Sequence, residues 1–128
     1  MEIINKMCGI IKRNEQILII NSDSSTEYRL FQFPKIEIKA NETDKSFFFN
    51  KMKEKYGVKG QTKDEIICTI THSYKDFDLI LHLIQIDLCE SDIEIEDLDA
   101  KWLSINQIWK LPLANPDVTV AQIILEQD

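Results

Sequence analysis

Lys51, Glu54 and Lys55 stand at i, i+3 and i+4, so on a helix their side chains share one surface patch. Glu42 precedes them, with Lys35 and Lys39 just upstream. Such a patch suits phosphate oxygens, which ammonium groups neutralise directly. It suits a hard divalent cation poorly, because a protonated lysine has no lone pair to donate. Carboxylates are plentiful further on: Glu90, Asp92, Glu94, Glu96, Asp97 and Asp99 fall within residues 89–99, a run that reads as a solvated loop. His72 and Asp117 complete the candidates. His72 closes an apolar run, where it either contacts a ligand or holds a turn by a backbone hydrogen bond. Asp117 falls in the first turn of an expected helix, where the dipole stabilises an acid.

The elements that must position these groups follow from periodicity. Residues 31–58 read as strand, loop, helix and stop: Phe31, Phe33 and Ile36 lead into a polar loop at 39–41, and Thr43 or Asp44 can cap a helix. Phe48, Met52 and Tyr56 form its apolar face, and Gly57 supplies a left-handed stop. Before it, residues 3–12 and 16–21 are β-rich runs joined by Arg13-Asn14-Glu15, a hairpin pattern. After it, the alternation at 66–71 predicts a strand buried mainly on one face, and His72 to Asp76 a turn. Residues 77–88 are apolar on both faces, as in a strand inside a covered sheet. Lys101 to Ser104 is a short strand, and Ser104 with Gln107 fits a capping box for a helix over 105–110. A last helix is expected with Asn115 as N-cap and Pro116 in its first turn, packing through Val118, Ala121, Ile124 and Leu125.

The 128 residues suffice for one domain, 1–128, with a single core. A net charge of −7 with dispersed lysines disfavours a general nucleic-acid surface, which needs a basic patch, but leaves room for a small anionic ligand. Cys8, Cys68 and Cys89 show no paired spacing, and with only His72 and His82 as further donors no zinc site is expected. Reduced thiols point to the cytoplasm. The opening MEIINKMCGII lacks the pattern of a signal peptide, and residues 77–88, interrupted by Asp78, His82, Gln85 and Asp87, are too short and polar to span a membrane.

Three stretches of this chain resemble the Nudix hydrolases, specifically the small MutT-like and CTP-pyrophosphohydrolase-like members. Placed ungapped on the Nudix box, Ile36 falls on its first Gly and Glu42 on the next Glu. Asn50 through Val58 fall on its Arg-Glu-apolar-x-Glu-Glu-x-Gly-apolar segment. The frame is kept by Phe33-Pro34, Glu42, Met52, Glu54, Gly57 and Val58. Independently, His72, Tyr74, Phe77, Leu79 and Leu81 follow the pattern His-x-aromatic-x-x-Phe-x-apolar-x-Leu. The third match is Trp102-Leu103-Ser104 with the ending that carries Asp117.

The resemblance implies an α/β fold, a Nudix-type α/β/α sandwich with a mixed central sheet. It also implies a ligand of the nucleotide or nucleoside diphosphate class. Family members hydrolyse such compounds with Mg²⁺ or Mn²⁺ held by box glutamates. By residue, it makes Glu54, Glu42 and Glu96 the catalytic candidates if the chain is active, with Glu54 and Glu96 on the metal. It makes Asp117 a reader of the base edge, and Lys51, Lys55, Lys39 and His72 further contacts to substrate. Two of the three box glutamates, however, are Lys51 and Lys55, the box Arg is Asn50, and the glycines after Phe-Pro are Lys35 and Ile36. At ~4 Å and an effective dielectric near 20, each ammonium repels a divalent ion by several kcal/mol. Weak or absent hydrolysis, with binding of a nucleotide, a protein partner or a second copy, is the expected outcome. The alternatives are a working nucleoside triphosphate pyrophosphohydrolase, releasing NMP and pyrophosphate, and a base-recognition module like the C-terminal domain of MutY glycosylases. Neither a membrane nor a nucleic acid is expected as a partner.

Overall fold

A computed structural model describes residues 2–21, 30–39, 45–56, 63–88 and 100–127. The strands are β1 (Glu2–Arg13), β2 (Gln16–Asn21), β3 (Phe31–Gln32), β4 (Lys35–Ile38), β5 (Lys63–Ser73), β6 (Phe77–Leu88) and β7 (Ala100–Leu103). The helices are α1 (Lys45–Tyr56), α2 (Ile105–Ile108) and α3 (Asn115–Gln127). The strands form one mixed sheet with the central order β3-β2-β1-β6-β5, β4 pairing with β1 and β7 with β2.

Its axis is the parallel pair β1 and β6, in register from Glu2 opposite Phe77 to Arg13 opposite Leu88. Their middle portions are buried on both faces, which is why apolar side chains there point to both layers. In β6, Leu79, Leu81 and Leu83 point into one layer and Ile84 and Ile86 into the other. The first layer is closed by Val120, Ala121 and Ile124 of α3, the second by Phe48 and Met52 of α1. The expected α/β/α sandwich with a mixed sheet is therefore the observed one. At the β1–β2 hairpin Asn14 takes a φ of 57°, a conformation Asn tolerates better than most residues.

Gly9 sets how closely α1 approaches the sheet. A Cβ there would lie 2.6 Å from Cζ of Phe48, so the ring rests against bare backbone. The Gly9 N–H donates to the Pro34 carbonyl at 2.8 Å, fixing the chain just before β4.

Several local expectations are corrected. The strand expected before the loop at 39–41 is split into β3 and β4, and β4 pairs with β1; extended backbone suits the β-branched Ile36, which packs beside the α1 layer. β5 carries a bulge between Ile66 and Cys68. The bulge brings Ile67 to the same layer as Cys68 and Ile70 and breaks the simple alternation. β5 runs through His72 to Ser73, so the turn is tighter than expected and is closed by Tyr74 N–H donating to the Phe77 carbonyl at 2.8 Å. The Ser104–Gln107 capping box is present, on a helix that ends at Ile108. In α3 the first carbonyl acceptor is that of Ala114, taking Asp117 N–H at 2.9 Å and Val118 N–H at 3.2 Å. Asn115 is thus inside the helix rather than its cap. The packed face rotates accordingly to Pro116, Asp117, Val120, Ala121 and Ile124, leaving Val118 exposed. The expected Thr43 or Asp44 cap, the Gly57 stop and the Tyr56 side chain lie outside the described residues. Among those described, no helix is long and apolar enough to cross a membrane.

Candidate functional site

Two groups of predicted residues are described, on opposite layers of the sheet. On α1, burying Phe48 and Met52 turns Phe47, Lys51 and Glu54 outward. Lys51 Nζ lies 3.7 Å from Glu54 Oε2 and 5.7 Å from the centre of the Phe47 ring. The two charged side chains are 47% and 71% exposed, so solvent screens the pair and it contributes little to stability. Lys39, just beyond β4, is exposed. Lys55 belongs to α1, but its side chain, like all of Glu42 and Glu96, lies outside the described residues.

Among the described residues, the α1 face offers a divalent cation no set of oxygen ligands: no three His, Cys, Asp or Glu side chains gather to hold a metal ion. The carboxylate present, Glu54, is instead accompanied by the Lys51 ammonium. A ligand set of hard oxygens needs neighbouring acceptors, and here the neighbour is a cation.

The second group surrounds Asp117. Phe31 N–H donates to the Pro112 carbonyl at 2.8 Å, and Ala114 N–H to the Phe31 carbonyl at 3.0 Å. Together with the Phe31–Leu113 bridge, this lays the start of α3 alongside the chain entering β4. Asp117, 1% exposed, there accepts Phe33 N–H at 2.7 Å and Lys35 Nζ at 2.6 Å, both on Oδ2. Lys35 donates further to the Phe33 carbonyl at 3.1 Å and to Gln32 Oε1 at 3.4 Å. Its side chain is only 10% exposed. Asp117 Oδ1 is buried with no hydrogen-bond partner among the described residues. Lys35, counted from the sequence among the lysines suited to phosphate, is committed to this pair.

The surroundings are apolar and aromatic. Tyr74 stacks on Phe77 with centroids 4.6 Å apart, and the His72 ring lies 4.7 Å from Tyr74 at 57°. Burial, with a contribution from the Asp117 charge, raises the Tyr74 phenol above its ordinary pKa. Burial pushes the Cys8 thiol up to about 12, against the opposing pull of Lys35, so Cys8 is no nucleophile. His82, on the α1 side, is partly buried and engaged with Asn5: its Nε2 lies 3.0 Å from Asn5 Oδ1, and burial lowers its pKa. The structure therefore brings Asp117 to Lys35, His72 to Tyr74 and Lys51 to Glu54, and leaves Asp117 and the α1 pair on separate layers. Lys35 as the partner of Asp117 was missed. A contact between residues 82 positions apart, set by the Phe31–Leu113 bridge, leaves no local signal.

No family model matches the sequence, and no curated protein does. Solved structures do. The E. coli ORF135 protein has a TM-score of 0.80 at 18% identity, over 98% of this chain and 91% of that one. The C-terminal domain of mouse MUTYH, solved in complex with human PCNA, has 0.76 at 11%, over 98% and 90%. The NUDIX domain of Shewanella oneidensis NrtR, solved with ADP ribose, has 0.74 at 15%, over 96% and 86%. The chain has the Nudix fold. At these identities the likeness shows the fold alone.

Proposed function

We propose that this chain is a Nudix-fold protein whose box no longer supports metal-dependent hydrolysis and which retains binding of a nucleotide-type anion. The observation that carries the reading is the Lys51–Glu54 pair on α1, where the ligand set of the fold's hydrolases calls for neighbouring carboxylates. Hydrolysis is then weak or absent. The exposed Lys39, and Lys51 from its solvent-screened pair with Glu54, would reach phosphate oxygens, and Lys55, one residue beyond Glu54, adds charge to the same helix. Positive side chains neutralise phosphate statically, without a bound cation. The ADP ribose and PCNA complexes of the similar structures illustrate that this fold serves both small-ligand and protein recognition.

The test is direct. Protein incubated with Mg²⁺ or Mn²⁺ and a panel of nucleoside triphosphates is expected to release no pyrophosphate or phosphate above background. In metal-free buffer, nucleotide is expected to raise the melting temperature. Metal-dependent turnover that disappears in Glu54→Gln would overturn the reading in favour of a reduced catalytic set of Glu54, Glu42 and Glu96. No thermal shift with any nucleotide would leave recognition of a protein partner.

A further inference from the structure

We propose that the cleft between the β1–β2 turn and α2 binds a small zwitterion, a free α-amino acid with an apolar side chain. The inference goes beyond the nucleotide reading and does not depend on it, because the cleft lies on the α3 layer of the sheet, opposite α1. Its volume is about 370 Å³, within the range of small-molecule sites. The floor follows from strand register. Lys12 of β1 pairs with Ile17 of β2, and Ile17 with Leu103 of β7. Ile17 is buried in the α3 layer, and Leu103 and Ile105 pack against the same cluster. The chain enters α2 at Ser104, whose hydroxyl is engaged in the capping box, and α2 contributes Ile105 and Asn106 to the lining. The two-residue turn contributes Asn14, at its φ of 57°, and Glu15.

Charge selects the ligand. Lys12 and Glu15 both line the cleft, and among the described residues no ion pair joins them. Arg13, between them in sequence, turns to the other layer, where its guanidinium lies 4.5 Å from the centre of the Trp102 ring. The cleft therefore presents one ammonium and one carboxylate beside an apolar floor. A simple anion is drawn to Lys12 but repelled by Glu15, and a simple cation meets the reverse, so each charge rejects one class of ligand. The several charges of a nucleotide's phosphates find a single cation here with a carboxylate nearby. A molecule carrying both charges a few bonds apart satisfies both poles at once: its carboxylate accepts from Lys12 and its ammonium donates to Glu15. An apolar side chain then covers Ile17 and Ile105, and the Asn14 and Asn106 amides supply neutral donors and acceptors.

The experiment titrates the isotope-labelled full chain with leucine, phenylalanine, glycine, N-acetyl-leucine and leucinamide, following backbone amide signals by NMR. Leucine and phenylalanine are expected to move the signals of Asn14, Glu15 and Asn106 and to leave those of Lys51 and Glu54 in place. N-acetyl-leucine lacks the ammonium, leucinamide the carboxylate and glycine the side chain, and each should bind at least about tenfold more weakly than leucine. Lys12→Gln should lose about tenfold for leucine and narrow the gap to leucinamide, because the cation that repels leucinamide is gone. Glu15→Gln should do the same toward N-acetyl-leucine. The amide spectrum reports whether each variant is folded, and if Lys12→Gln is not, the exposed Glu15→Gln decides alone. Signals that stay at rest with leucine and phenylalanine at tens of millimolar overturn the inference. So does leucine affinity unchanged in the folded charge variants, or N-acetyl-leucine or leucinamide binding as tightly as leucine to wild type. Leucine-induced shifts confined to α1 would place the ligand elsewhere and overturn it as well.

Discussion

At the scale of single residues, the Lys35–Asp117 pair and Cys8 are where burial has the largest consequences. Removing one partner of a buried ion pair leaves the other charge without compensation, which typically costs about 3–5 kcal/mol. Asp117→Ala should approach that cost, since it also strands the Phe33 N–H. The Lys35→Met/Asp117→Asn double substitution should be much less destabilising than the two single effects summed, as chemical denaturation would show. Cys8 adds a pH dependence. Its thiol ionises near 9.0 when unfolded and near 12 when folded, so the unfolded state loses its proton first as pH rises. The contribution is fully present below pH 9 and declines by about 1.4 kcal/mol per pH unit between roughly 9 and 12. Cys8→Ser should flatten that stretch of the stability profile.

At the scale of elements, legibility in the sequence followed how local the cause was. β6 was readable to the residue because burial on both faces makes most of its residues apolar without strict alternation. The α2 cap was readable because Ser104 and Gln107 satisfy each other within one turn. The α3 face was misread because its start is set by the Ala114 carbonyl and the contact to Phe31, neither of which changes the helical periodicity. The positions of Lys51 and Glu54 on one exposed patch were legible from spacing, whereas the partner of Asp117 was not. The rotated α3 face is checked by contrast: Ile124→Ala should cost about 2–5 kcal/mol, while Val118→Lys should change stability by less than about 0.5 kcal/mol. The α1–β1 approach makes a similar prediction. Gly9→Ala forces a Cβ into the Phe48 ring and should cost about 1–3 kcal/mol. Pairing it with Phe48→Leu, which removes the clashing ring, should recover part of that loss in a double-mutant cycle.

For the whole molecule, the separation of the two groups onto opposite layers implies that the α1 surface can change its chemistry without disturbing the fold. Among the described side chains of α1, the core contacts are made by Phe48 and Met52, not by Lys51 or Glu54. Lys51→Glu with Lys55→Glu should therefore leave the sheet and α3 intact while placing two more carboxylates beside Glu54. Crowding three like charges should lower stability slightly in metal-free buffer, and screening by salt should recover part of it. Divalent ions should recover more. At a tenfold excess over the dissociation constant, a bound ion stabilises by about 1.4 kcal/mol, a rise of a few degrees in melting temperature for a domain of this size. Wild type, with Lys51 against Glu54, should show no such rise. Melting curves of both proteins with Mg²⁺, Mn²⁺ and matched ionic strength decide the matter. A wild-type shift as large as the variant's would mean that the lysines do not exclude the ion, and the case against metal-dependent chemistry would fall with it.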